Sequence, residues 1–244
     1  MPSPEPEFPR LEWDQWFEFP HPDTADDDGL VGAGGNLSPG MLLSAYRQGL
    51  FPWFSRDGLP FWFSPDPRFV LVPGELHVGS TLKKVMKKRL FSVTFDENFP
   101  TVMARCAETP RPNQPGTWIT EDFLGGYGEL HRLGFAHSVE VWKDERDGRR
   151  LVGGLYGVKL GRVFFGESMF SLEDNASKVG FVTVVGHLIK EFGVELIDCQ
   201  APTDYLASFG AKKVPRDWFL TRLKGLVEFP GSPGRWKAVL SSWS

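Results

Sequence analysis

From Glu121 to Gln200, helical and extended patterns alternate in a fixed order, and that order restricts the fold more than any other feature of the chain. Glu121–Leu133 reads as a helix with Thr120 as its N-cap and Gly134 as its stop. His137–Trp142 alternates as a strand, and a charged loop, Lys143–Arg150, turns the chain. Leu151–Val158 and Arg162–Ser168 then form two strands joined around Lys159-Leu-Gly161, with glycine at the bend. Asn175 caps a helix that runs through Phe181, Val184, Val185 and Leu188 to about Phe192, and Gly193 closes it before a strand at Val194–Asp198. The succession implies an α/β (α+β) fold, a mixed sheet flanked by helices with ligands beyond its strand ends.

The first half is a mixed lobe, expected over residues 1–112 and followed by a second domain over 113–244. The punctuation between them is the Pro-rich run Thr109–Gly116. Ser38 and Pro39 start a helix as N-cap and N1, Met41, Leu42, Ala45 and Tyr46 recur at helical spacing, and Gly49 ends it. Phe51–Phe54 and Pro60–Phe63 are aromatic segments broken by Gly58. Arg68–Val72 and Phe91–Phe95 read as strands on either side of a basic helix.

A chain of 244 residues, 41% hydrophobic and 14% aromatic, buries enough apolar surface to fold without covalent staples. Its two cysteines, Cys106 and Cys199, stand in no metal-ligand spacing, so neither a disulfide framework nor a zinc site is expected. The N-terminus lacks signal-peptide character, and no apolar run approaches the roughly 20 residues of a membrane helix. These features imply a soluble, cytoplasmic protein with no membrane partner, expected as a monomer. A net charge of −4 argues against general nucleic-acid affinity. The distribution is uneven, however: Asp23–Asp28 holds four acids, and Lys83, Lys84, Lys87, Lys88 and Arg89 form a compact basic block. At helical spacing that block is either a solvated face or a surface for phosphates, with Val85 and Met86 available to face inward.

Leu196-Ile-Asp-Cys-Gln200 is an apolar run ending in an acid and an amide two residues apart. Alternation on a strand projects Asp198 and Gln200 together and turns Ile197 and Cys199 the other way. The pair reads either as loop hydrogen bonding where a strand stops or as part of a site.

Several blocks decide between those readings. They are Gly32-Ala-Gly-Gly-Asn-Leu-Ser-Pro39, Ala45-Tyr-Arg-Gln-Gly-Leu-Phe-Pro-Trp-Phe-Ser55, Trp62-Phe-Ser-Pro-Asp-Pro-Arg68, Gly116-Thr-Trp-Ile-Thr120, Gly166-Glu-Ser-Met-Phe-Ser171, Asn175-Ala-Ser-Lys178 and Asp198-Cys-Gln200. In order, and along nearly the whole chain, they resemble the leucyl/phenylalanyl-tRNA–protein transferase family. The resemblance implies a C-terminal domain with an acetyltransferase-like (GNAT-like) sheet. The activity it implies is transfer of Leu, Phe or Met from aminoacyl-tRNA to proteins with N-terminal Arg or Lys, marking them for degradation by the N-end rule. No metal or other cofactor is implied, because the tRNA ester arrives activated.

That chemistry needs an ester carbonyl held in line with a neutral α-amine and charge stabilisation on the carbonyl oxygen. By the resemblance, Asp198, Gln200 and Glu167 are the catalytic set. Asp198 acts as proton acceptor or fixes Gln200, Gln200 orients the amine, and Glu167 pairs with the acceptor's guanidinium or the aminoacyl ammonium. Leu155, Phe164, Met169, Phe181, Val184 and Ile197 are the expected aminoacyl pocket, with Leu155 and Val184 where Met and Phe are expected in the family. Tyr46, Trp53 and Trp118 are the expected stacking platform for the terminal adenosine, and Lys83, Lys84, Lys87, Lys88 and Arg89 the tRNA contact. Tyr205 stands where the family is expected to have His. His137 and His187 read as packing or capping residues. Two other classes compete: an acetyl-CoA-dependent N-acetyltransferase, which needs a glycine-rich anion cradle where this chain has Ser171–Ser177, and a noncatalytic tRNA-binding protein. A nucleophilic Cys199 is weaker still, having no evident His base.

Overall fold

The computed structural model describes residues 8–110, 117–228, 234, 236, 239 and 240, so most of the Pro-rich punctuation lies outside the described residues. A small antiparallel sheet comes first, made of β1 (Leu30–Ala33), β2 (Phe51–Arg56) and β3 (Leu59–Phe63) in the order β1-β3-β2. The two aromatic segments are therefore the arms of a hairpin, turned at Asp57-Gly58 where both residues have positive φ. Helix α1 (Pro39–Arg47) begins at Ser38-Pro39 as expected, but the Ser38 hydroxyl accepts the Leu11 N–H instead of capping the helix.

The rest of the described residues are built on one eight-stranded sheet. Its strands are β4 (Arg68–Leu71), β5 (Ser92–Phe95), β6 (Ala136–Glu145), β7 (Gly148–Leu160), β8 (Val163–Ser171), β9 (Leu196–Gln200), β10 (Lys212–Val214) and β11 (Val239–Leu240). Their order is β10-β4-β9-β8-β7-β6-β5-β11, antiparallel throughout except for the parallel pair β8–β9. The connecting helices are α2 (Ser80–Lys87), α3 (Phe99–Glu108), α4 (Glu121–Leu133), α5 (Ala176–Phe192), α6 (Asp204–Ala207) and α7 (Arg216–Val227). The mixed sheet flanked by helices is the α/β class read from the sequence.

Strand alternation divides the core between two faces. Tyr156, Val158, Phe165 and Leu196 pack with α1, α3, α4 and α7, whereas Leu155, Phe164 and Ile197 pack with α5. The structure departs from the sequence reading at the Lys143–Arg150 loop and at α3. Lys143–Arg150 is the tip of the β6–β7 hairpin, paired as far as Glu145 and Gly148, so the loop is only a turn. Helix α3 has no counterpart in the sequence reading, although Asn98 caps it through the Thr101 N–H. A division at 112/113 is not a division of the sheet, because β4 and β5 pair directly with strands of the second half.

A candidate active site where the parallel strands part

Strands β8 and β9 pair in parallel only through Val163–Leu196, Phe164–Ile197 and Phe165–Asp198. Beyond that point a cavity of about 680 Å³ opens, lined by both strands, α5 and α6. It is placed as open α/β sheets place ligands, past the end of a strand.

A β-bulge delivers Glu167 to the cavity. Gly157 faces Gly166 and Tyr156 faces Ser168, which leaves Glu167 as the extra residue on β8. Its carboxylate meets three donors. Tyr46 on α1 donates to Oε1 at 2.7 Å, Tyr127 on α4 to Oε2 at 2.9 Å, and the Gln200 amide Nε2 to Oε1 at 3.1 Å. The two phenol oxygens are themselves 2.5 Å apart. With Glu167 ionised, these three contacts among the carboxylate and the two phenols share two hydrogens, and one added proton completes the ring. The carboxyl is raised from 4.5 to about 7. Burial is the main cause, the bonds from Tyr46 and Tyr127 oppose it, and the charge of Asp198 adds to it. Burial, then the charge of Glu167, holds both phenols well above 10, so they remain donors.

Asp198 and Gln200 do not project together. Alternation holds as far as Cys199, but Gln200 has a φ of 60°, and the β4–β9 register breaks beside it. Gln200 therefore turns into the cavity, while Asp198 lies on the opposite side with no exposed surface. There Arg68 grips it with Nε to Oδ1 at 2.9 Å and Nη2 to Oδ2 at 2.6 Å, and Oδ1 also accepts the Gln200 N–H at 2.9 Å. A carboxylate sealed off and paired in this way does not take a proton from a substrate amine. The direct role expected for Asp198 is corrected, and its support of Gln200 remains.

Five of the six expected pocket residues, Leu155, Phe164, Met169, Phe181 and Ile197, line the cavity. Val184 does not, because it lies one turn further along α5 inside the core. Cys199 also lines it instead of facing away, and burial pushes its thiol well up, out of the range of a nucleophile. Among the described residues no cluster of His, Cys, Asp or Glu is arranged to hold a metal ion.

The family model described as leucyl/phenylalanyl-tRNA protein transferase matches residues 70–224, and the model of that family's N-terminal domain matches residues 35–66. The chain belongs to this transferase family. Proteins named leucyl/phenylalanyl-tRNA–protein transferase from Myxococcus xanthus and Ectopseudomonas mendocina are 49% and 51% identical to it. The alignments cover 89% of the chain and 91% of the first relative, and 90% of the chain and 96% of the second. A third, from Pseudomonas fluorescens, is 54% identical over 84% of the chain and 88% of the relative.

The remaining residues that the transferase resemblance singled out are divided by the fold. Trp53, 38% exposed, and the half-buried Trp118 both line the cavity. Tyr46 is fully buried with its hydroxyl committed to Glu167 and Tyr127, so it has no face to offer a base. Lys83, Lys84, Lys87, Lys88 and Arg89 are exposed along and just past α2, which is anchored by Leu82 and by the half-buried Val85 and Met86. Tyr205 lines the cavity and donates to Ser177 Oγ at 3.2 Å, with burial pushing its phenol up to about 12. His137 and His187 are packed elsewhere, His137 against Trp236 and Asp96 and His187 against Phe95. Arg68 and Tyr127 were given no role in the sequence reading, yet each is bonded to a residue of the expected catalytic set.

Proposed function

We propose that this cavity joins an aminoacyl group, Leu, Phe or Met, carried on tRNA to the α-amino group of a protein beginning with Arg or Lys. The observation that carries the reading is Glu167 and Gln200, 3.1 Å apart, facing an apolar slot that two tryptophans also line. The acceptor nitrogen attacks the ester carbonyl, a C–N bond forms, the C–O bond to the ribose breaks, and the amine proton passes by way of Glu167 to the departing ribose oxygen, which leaves as a hydroxyl. Oε1 already accepts two hydrogen bonds and Oε2 one, so a single acceptor position is left. One N–H of an amine fits there, whereas the two-pronged fork of a guanidinium does not. The Gln200 carbonyl, left free by its amide bond to Glu167, is a second acceptor for the same amine.

Trp53 and Trp118 are the adenosine platform in this reading, and α2 carries the phosphates. The strand, hairpin, helix and strand order from β6 to β9 supports an acetyltransferase-like sheet. Acetyl-CoA itself fits poorly, because the amides at the start of α5 are already used: Ala176 N–H by the Glu173 carbonyl and Ser177 N–H by the Ser171 hydroxyl. A cytoplasmic site of action follows from the tRNA donor, and one chain supplies every group named, so a monomer suffices. No helix among the described residues is long and apolar enough to cross a membrane. Of the two departures from the family pattern in the pocket, only Leu155 reaches the cavity and can bear on donor choice.

The decisive assay offers the purified protein leucyl-tRNA or acetyl-CoA with an Arg-start peptide. Transfer from leucyl-tRNA alone is expected, and acetyl transfer, or no transfer from either donor, overturns the reading. Trp53→Ala is expected to raise the donor KM about 5- to 150-fold, the equivalent of about 1–3 kcal/mol of base stacking, with kcat nearly kept. Lys83→Glu with Lys87→Glu is expected to raise the same KM and to flatten its dependence on salt, which a titration between 50 and 200 mM salt measures.

A further inference from the structure

Arg68 opens β4 with its side chain wholly shut off from solvent. A guanidinium in such a position needs close partners. Both oxygens of Asp198 accept its Nε and Nη2 in a parallel fork, and the rings of Phe51 and Phe219 lie 4.8 and 4.5 Å from its Cζ. Among the described residues Nη1 finds no acceptor. Apolar side chains of similar volume often fill such a space at equal or lower free energy, so stability alone is a weak reason for this pair.

Gln200 supplies a better reason. Its φ lies in the left-handed region, which residues other than glycine seldom occupy, at the point where the β4–β9 ladder skips Cys199. What holds it is its own N–H bonded to Asp198 Oδ1, the oxygen that also accepts Arg68 Nε. From that backbone the side chain reaches Glu167, whereas continued alternation turns it toward the face where Asp198 is buried. We propose that Arg68 is a positioning residue for the transfer: by locking both oxygens of Asp198 it fixes the left-handed turn at Gln200 and so aims the Gln200 amide at the reacting amine. This rests on the reading of Gln200 and Glu167 as the groups that meet that amine.

The test replaces the pair with apolar side chains, Arg68→Met together with Asp198→Leu. Folding is followed by circular dichroism and thermal melting, and kcat and KM are measured for transfer from leucyl-tRNA to an Arg-start peptide. The expected result is a folded protein whose kcat falls at least tenfold while the donor KM changes less than threefold. Arg68→Lys keeps the charge and loses the fork, and a threefold or larger loss of kcat is expected with folding intact. Parental kcat in a folded double variant or in Arg68→Lys overturns the proposal, and Arg68→Lys decides alone if the double variant does not fold. Absence of leucyl transfer by the parent protein overturns the proposed function instead, so the two failures are told apart.

Discussion

Gly157→Ala is expected to remove most of the transfer activity and to cost about 1–3 kcal/mol of stability or more, the range of overpacked cores. A Cβ at this position falls 2.3 Å from the Phe165 carbonyl oxygen and 2.4 Å from the Phe164 ring. The first is backbone inside the β7–β8 ladder and the second a wall of the cavity, so neither yields without moving the bulge. Glu167 is the residue that the bulge presents, and a displacement near 1 Å in a reacting group costs about a hundredfold in rate. Thermal melting checks the stability, with a drop of roughly 2–4 °C for each kcal/mol in a protein of this size. Rates taken well below the melting point check the site. Gly166→Ala is the matched control across the same pair: its Cβ meets nothing closer than the Asp198 carbonyl oxygen at 3.7 Å, an ordinary contact, and near-parental stability is expected.

That pair of glycines shows where the sequence stops being legible. Local rules found the helix ends at Ser38-Pro39, Gly134 and Gly193, the hairpin at Gly161 and the strand carrying Asp198, because each is set by a few neighbouring residues. They placed Glu167 on β8, and five of the expected pocket side chains do share one cavity. They missed the bulge, which depends on Gly157 meeting Gly166 across two strands. The turn at Gln200 was missed for a similar reason, since its φ is held by a side chain gripped from β4. Alternation carried one residue too far then set Asp198 beside Gln200. Arg68 lies 130 residues from Asp198 in sequence, and no local spacing connects them. Tyr46 drew attention as an aromatic ring, but its hydroxyl is what the fold uses, and its partner Tyr127 carries no signal beyond a helical position.

Glu167→Gln is expected to lower kcat by about 10²- to 10⁴-fold, the usual contribution of a positioned proton acceptor, and to change the pH dependence of both rate and stability. Glutamine keeps the size and one acceptor oxygen, so the bond from Tyr46 or Tyr127 survives in part while the titration disappears. In the parent protein the carboxyl titrates at about 7, and only its ionised form takes a proton, so the rate rises with pH through that value. Deprotonation of the acceptor amine, near 7.7–8.0, adds a second rise just above it. The Gln variant should retain only the second. Stability runs the other way. Between 4.5 and about 7 the folded protein binds a proton that the unfolded chain has released, so this group's contribution is full below 4.5 and is lost as the pH climbs through 7. A shift of that size corresponds to about 3 kcal/mol for a group cut off from water, and to less for Glu167, which lines an open cavity. Urea unfolding at pH 5 and pH 8 should therefore show the parent losing stability relative to Glu167→Gln at the higher pH. A constant difference between the two proteins across that interval, together with an unchanged rate profile, would show that Glu167 neither titrates in this range nor handles the proton.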